Sequence, residues 1–447
     1  MKAPMRRGGF LKSGRWLAGA LMLSTGSAAA EPVSFARGIA PIFQRQCVGC
    51  HKAGKAKGKY RLDTYSHAMK ELVAGNLEES ELYYRITTDD EDDRMPVEAN
   101  PLSKQEIELI RKWIEEGAKY DAEDPEAFLS SIVPMEEHPA APESYPRSLP
   151  VTAMVFSNDG QKLFTGGYHE ILVWNSANGT LLRRIANNGQ RTYDLALSPD
   201  GGFLAVASGA PGQLGEIRIF ETSGGSVVAA PFRGDDVALA VAFDPKGERL
   251  AFGGADGMLR VVNTKEWKEE LVVRAHSDWV NAIAWDSAGH RIATASRDKS
   301  AKVFDVAAGG KRLATFSGHS ETVRGVGFHP NGNEVISCGD HGLVLRWKIS
   351  NGKKSGDLAK VGGPALRMLC SEAGYFVAGP KGQTVQLNLD DQKRERELVV
   401  AGERLPAIGE VVEHGSRLAV GTFDGRVVFF DLETGRPVRE FVAAPGL

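Results

Sequence analysis

The spacing of apolar positions changes partway along this chain. Up to about residue 120, apolar residues recur every three or four positions. Phe35, Ile39, Ile42 and Phe43 share one face of a predicted helix that Ser34 can cap. Ile107, Ile110 and Ile114, with Trp113 beside them, form a second such stripe. Ser103-Lys104-Gln105-Glu106 opens that stripe as a capping box, and Gly117 is its natural stop. From about Leu149 the pattern becomes short apolar strands separated by Gly, Asn and Asp turns.

The second region repeats itself. Ala153-Met154-Val155-Phe156-Ser157-Asn158-Asp159-Gly160 returns as Leu195–Gly201, Val241–Gly247 and Val326–Gly332. A closing element recurs at Val173-Trp174-Asn175, Ile219-Phe220-Glu221, Val261-Val262-Asn263, Val303-Phe304-Asp305, Arg346-Trp347-Lys348 and Phe429-Phe430-Asp431. Val385-Gln386-Leu387-Asn388 is a degenerate copy. These make seven units of roughly forty residues, the period of a four-stranded propeller blade. The expected fold class is therefore multidomain, α plus all-β: a small helical domain at 31–120 and a seven-bladed β-propeller at 149–447. Between them, 121–148 carries prolines at 125, 134, 139, 142 and 146 and reads as an extended, semi-rigid linker, parts of which can lie on a domain surface.

Residues 1–30 read as a secretory signal. Arg6, Arg7, Lys12 and Arg15 form a basic start, Trp16 to Leu23 a short apolar run, and Ala28-Ala29-Ala30 a cleavage site. The apolar run is too short to span a bilayer, and no integral membrane segment is expected after cleavage. The expected location is the periplasm or another exported compartment. The net charge is −3, and removing the signal takes away five basic and no acidic residues. A mildly acidic remainder argues against nucleic acid as a partner.

Cys47-Val48-Gly49-Cys50-His51 is the stretch richest in chemistry. Two thiols at this spacing can add to the vinyl groups of a haem and hold it covalently, and the adjacent imidazole can ligate the iron. A thioredoxin-like pair would sit in a βαβ unit, which the surroundings do not resemble. A structural zinc site needs about four ligands, and Cys338 and Cys370 lie far off in the repeats. The predicted cofactor is one covalent haem c, attached through Cys47 and Cys50, with His51 as the proximal iron ligand. Met95, before Pro96, is the leading distal ligand, because a thioether raises the potential and the proline biases the loop. Met69 and His67 are the alternatives, and packing alone is the plain reading of Met95. The run Asp89–Asp93 reads as a solvated loop or a patch that steers a basic partner. Arg85 and Arg94 pair either with haem propionates or with that run.

The first domain resembles the planctomycete-type cytochrome c domain. Ile42-Phe43 leading into Cys47–His51, Met95-Pro96, and Trp113-Ile114-Glu115-Glu116-Gly117-Ala118 carry the likeness. The resemblance implies His/Met-ligated haem c and electron transfer. The repeats resemble WD40 units, through Gly318-His319 and the hydrophobe-Trp/Phe-Asp/Asn endings. His276, Asp298 and Phe304 fall where that family places a polar network, as do Asp256-Gly257 and Asp424-Gly425. In the fifth unit His341 stands where an aspartate is expected, with Asp340 one residue early. A propeller of this kind implies a protein-interaction platform.

The expected function is electron transfer to or from an unidentified redox partner protein docked through the propeller, with no catalytic residues. The alternative is an oxidoreductase whose propeller holds a second cofactor and whose cytochrome domain relays electrons. His169, His276, His319 and His341 would be its first ligand candidates, though their spacing reads as structural. Cys338 and Cys370 read as buried, unbridged thiols.

Overall fold

In the helical domain, residues with one apolar face wind around a single aromatic core. A computed structural model describes residues 32–48, 50–52, 55–90, 92–97, 101–133, 137–371, 373–388, 394–400 and 411–447. The predicted signal at 1–30 lies outside the described residues. A wide turn, Phe35–Ile39, runs directly into helix α1 (Ala40–Gln46). Ser34 caps the turn, its Oγ accepting the Arg37 N–H at 3.0 Å. Two short helices follow, α2 (Tyr65–Ala68) and α3 (Glu81–Thr87), and then α4 (Lys104–Glu115).

The capping box at α4 is present. Ser103 Oγ accepts the Glu106 N–H at 3.2 Å and Glu106 Oε2 accepts the Ser103 N–H at 2.8 Å. Gly117, at φ 93°, turns the chain out of the helix. Phe35, Ile39 and Phe43 pack on Ile110, Trp113 and Ile114, all buried. The Phe35 ring lies 5.3 Å from that of Trp113, and Phe43 meets Trp113 edge-on at 6.2 Å. No helix among the described residues is long and apolar enough to cross a membrane.

The helical unit does not stop at Tyr120, where the apolar pattern predicts its end. A fifth helix, α5 (Leu129–Ile132), packs against α1. Leu129 is buried in the helical core, and its N–H bonds the Asp63 carbonyl at 2.9 Å. Pro125 accepts from the Ser66 N–H at 3.0 Å. Leu129 therefore belongs to the same apolar core as Phe35, Phe43 and Trp113.

The remainder of the predicted linker is strapped to the propeller. The Tyr145 N–H bonds the Pro445 carbonyl at 2.9 Å, and its hydroxyl donates to Glu170 at 2.6 Å. Arg184 bonds the Glu143 carbonyl at 2.6 Å and the Pro142 carbonyl at 2.5 Å. His138 pairs with buried Glu216, which also holds Arg218 at 2.8 Å. The Arg218 Nη1 in turn donates to the Asn187 carbonyl at 2.8 Å.

The repeats form seven four-stranded antiparallel sheets, each built from consecutive strands. The first strand of each touches the first strand of the next, and Val411–His414 touches Met154–Phe156, closing the ring. This is the seven-bladed propeller that the repeat count predicts. Each blade comes from one stretch of chain, so no shared strand locks the first blade to the last. Side chains do that work. Phe429 and Phe156 lie 6.1 Å apart, Trp174 and Phe441 4.9 Å apart, and all belong to one apolar cluster spanning both blades. Across the central axis, Arg367 of the sixth blade pairs with Asp194 of the second.

The WD40-type polar network is complete in the fourth blade. His276 Nδ1 lies 2.9 Å from Asp298 and Nε2 2.7 Å from Thr294 Oγ1. In the fifth blade His341 fills the aspartate's place. His319 bonds Ser337 at 2.7 Å with one nitrogen and His341 at 2.5 Å with the other, their rings stacked at 4.6 Å. Cys338 and Cys370 are free thiols in neighbouring blades, and burial pushes the Cys370 thiol up to about 12.

Two outcomes follow from this packing. Phe429→Ala removes a ring that is 2% exposed at the closure and should cost about 3–5 kcal/mol in urea unfolding, whereas Leu182→Ala, 49% exposed, should change it by no more than about 0.5 kcal/mol. Equal effects would show that the closure is not held by this cluster. The second outcome concerns acid. Burial pushes His276 down from 6.5 to about 4 and His319 to about 3. Below pH 6.5 the unfolded chain therefore binds protons that the folded blades refuse. Stability should be full above pH 6.5 and fall by about 1.4 kcal/mol per pH unit for each histidine as the pH drops toward 4. Urea midpoints at pH 7.5, 5.5 and 4.5 measure this, and a flat series would contradict it.

Candidate haem-attachment site

Cys47, Cys50 and His51 are delivered by the end of α1. The Cys47 N–H still bonds the Phe43 carbonyl, at 2.9 Å, as the helix requires. One more turn follows, with the Cys50 and His51 N–H groups bonding the Cys47 carbonyl at 3.1 Å and 3.0 Å. Positions i, i+3 and i+4 of such a turn share a face, so both thiols and the imidazole are brought together. The two cysteines are not bridged to each other. Burial, with the charge of Glu106, pushes the Cys47 thiol up to about 12. It stays protonated at neutral pH and resists disulfide exchange.

His51 is 9% exposed. Its carbonyl accepts the Leu62 N–H at 2.8 Å, and Tyr60 meets its ring edge-on at 6.1 Å. Its buried Nδ1 has no hydrogen-bond partner among the described residues. An orphaned buried imidazole nitrogen is costly, so it calls for an explanation. Beside two unbridged thiols on the same turn, the donor set fits a haem c.

Met95 is half-buried on the loop after α3, and its N–H bonds the Arg85 carbonyl at 2.8 Å. The two alternatives have other engagements. His67 Nδ1 lies 2.7 Å from Thr64 Oγ1, the cap of α2, and Met69 packs against the helical core. Arg85 is held by Glu81 at 2.8 Å and by Asp93 at 2.5 Å, so its partners are acidic side chains of this domain. Asp90 and Asp93 shape the loop rather than lying free in solvent, with Asp90 Oδ1 accepting the Asp92 N–H at 3.0 Å.

The propeller histidines serve the blades. His169 Nδ1 lies 3.2 Å from the Asn188 carbonyl, and His276, His319 and His341 belong to the networks above. No group of three or more His, Cys, Asp or Glu among the described residues is arranged to hold a metal ion. Sequence reasoning missed the buried His138–Glu216–Arg218 group, the Asp194–Arg367 pair and Leu129. Only Leu129 left a trace, the apolar spacing of Phe128, Leu129, Ile132 and Val133 inside a proline-rich stretch.

Residues 47–98 match the family model described as planctomycete cytochrome C, and 267–305 and 310–348 each match the WD domain, G-beta repeat. This chain joins a planctomycete-type cytochrome c domain to a WD40 propeller. Among curated proteins, it is 25% identical over 119 residues to polyadenylation factor subunit 2 of Cryptococcus neoformans var. neoformans serotype D, covering 27% of this chain and 16% of that protein. It is 35% identical over 112 residues to the Denticleless protein homolog of Gallus gallus, 24% of this chain and 15% of that one. It is 25% identical over 188 residues to the target of rapamycin complex subunit wat1 of Schizosaccharomyces pombe, 42% and 45% respectively. The match thus spans less than half the length of each of these relatives. The crystal structure of the computationally designed Ika8 protein superposes with a TM-score of 0.52 at 19% identity, over 67% of this chain and 90% of that one. At that identity the likeness concerns the fold alone.

Proposed function

We propose that this cytochrome–propeller chain is an exported monohaem electron-transfer protein whose propeller docks a partner protein. The observation that carries the reading is the turn at Cys47–His51, which gathers two unbridged thiols and an orphaned imidazole inside the planctomycete cytochrome C match. Bound haem supplies one-electron chemistry at iron. Cys47 and Cys50 hold it as thioethers, His51 offers the proximal nitrogen, and Met95 offers a thioether that raises the potential. Residues 1–30 direct the chain to a compartment outside the cytoplasm, and c-type attachment follows export.

The docking role rests on the propeller. Two of the relatives are named as subunits, one of a polyadenylation factor and one of a target of rapamycin complex. One rim of the propeller also carries anchor-type side chains. The turns between second and third strands present Tyr168 and Phe423, and Arg297 stacks at 4.9 Å on Trp279. Aromatic and arginine side chains are the residue types that dominate binding energy at protein interfaces. The partner is a redox protein that exchanges one electron with the haem domain.

Visible spectra of the exported, haem-matured protein, with denatured haem counted per chain, test the assignment. One covalent haem with a low-spin His/Met signature is expected. Cys47→Ala with Cys50→Ala should abolish covalent attachment. Met95→Ala should keep the haem attached, open the distal position and lower the potential. Absence of covalent haem in the matured parent would overturn the reading. A Met95→Ala protein that kept the Met-ligated spectrum would remove Met95 from it.

A further inference from the structure

We propose that Arg85 is a positioning residue that clamps the Met95 loop to α3, so that the Met95 thioether is offered from a fixed backbone. The inference rests on the cytochrome reading above. Both ends of the arginine hold the same short stretch. At the main chain, the Arg85 carbonyl accepts the Met95 N–H at 2.8 Å. At the side chain, Nη1 donates to Asp93 Oδ1 at 2.5 Å and to the Asp93 carbonyl at 3.4 Å. Nε donates to Glu81 Oε1 at 2.8 Å, one helical turn earlier, which fixes the direction of the guanidinium.

The loop between these anchors is wound on itself. The Asp90 carbonyl accepts the Arg94 N–H at 2.8 Å and the Asp93 N–H at 3.2 Å. The clamp therefore acts at residues 93 and 95 together and leaves the loop little freedom to swing. The planar guanidinium suits this task because its donors point in fixed, diverging directions; an ammonium would reach the same carboxylates as a single charge. The side chain is 31% exposed, so the bonds to Glu81 and Asp93 compete with water, and what the clamp contributes is geometry as much as energy.

The physical consequence concerns competition for the distal position. A thioether is a weak, neutral donor. It holds its place against other ligands because its loop keeps its effective concentration high. Loosening the loop makes each ligation event fix backbone that was free before. Cys47, Cys50 and His51 lie on a different turn, so attachment and proximal ligation should be unaffected.

The test uses the full-length, haem-matured protein with free imidazole as the competing ligand. Arg85→Gln should retain covalent haem and far-UV circular dichroism like the parent. It should exchange Met for imidazole at about tenfold lower concentration or less, the equivalent of losing one charge-assisted hydrogen bond. Arg85→Lys should fall between the two. Asp93→Asn, which keeps the Arg85–Glu81 pair, should shift in the same direction by less, and it carries the test if Arg85→Gln does not fold. Parent-like imidazole titrations and potentials in Arg85→Gln and Asp93→Asn would overturn this inference alone. A parent without covalent haem would overturn the cytochrome reading, and this inference with it. A parent with covalent haem but no Met ligation would overturn this inference and leave attachment standing.

Discussion

The packing of Phe35 and Phe43 on Trp113 governs the helical domain. These rings are fully or almost fully buried, and they hold the wide turn, through Phe35, and α1, through Phe43, against Trp113 of α4. The cysteines and His51 have no independent frame. They occupy the next helical turn, so their common face is set by how α1 is rotated on α4. The indole nitrogen of Trp113 donates to the Lys119 carbonyl at 2.9 Å, tying the exit from α4 to the same ring. In so small a domain, one misplaced aromatic would change the placement of Cys47, Cys50 and His51 at once.

The proline-rich stretch couples the two domains more tightly than its composition suggests. Its first half belongs to the helical core through Leu129, and its second half is bonded to the first two blades through Tyr145, His138 and the carbonyls that Arg184 grips. Val133 still packs on the helical core, and His138 is already bonded to the propeller. α5 also touches the outermost strand of the second blade, Val227–Gly234. The helical domain is thereby held against the outer edge of the second blade.

Much of this was legible in the sequence, for identifiable reasons. The helices with capping signals, the turn that carries Cys47, Cys50 and His51, and the seven repeats all rest on local rules: periodicity, caps and turn residues. What escaped depends on contacts distant in sequence. Asp194 and Arg367 meet only because the ring closes, and neither sits in a motif. Glu216 and Arg218 read as an ordinary alternation on a strand, yet both are buried because His138 arrives from outside the repeats. Arg85 was ambiguous because its sequence neighbours include many carboxylates, and only geometry selects Glu81 and Asp93. Leu129 was hidden because four apolar residues within one short stretch, Phe128, Leu129, Ile132 and Val133, span too few turns among prolines to signal a helix.

The fifth blade shows why the departure at His341 is tolerated. An aspartate at that position, as in the fourth blade, accepts from the buried histidine. His341 reverses the direction: its Nδ1 accepts the Leu343 N–H at 2.9 Å, so its Nε2 carries the ring proton and donates it to His319 Nδ1, and the turn remains satisfied. The apolar part of the blade is unaltered, with Phe316 stacked on Trp347 at 5.3 Å and Trp347 still donating to Ser337 at 3.2 Å. Neutral histidine pairs can replace a histidine–carboxylate pair only while both rings remain short of a second proton. Burial pushes His319 down to about 3, so the blade keeps this contact until the pH falls well below the usual imidazole range. Its fold depends on stacked aromatics and backbone pairing, and the polar network sets the range of pH over which that packing holds.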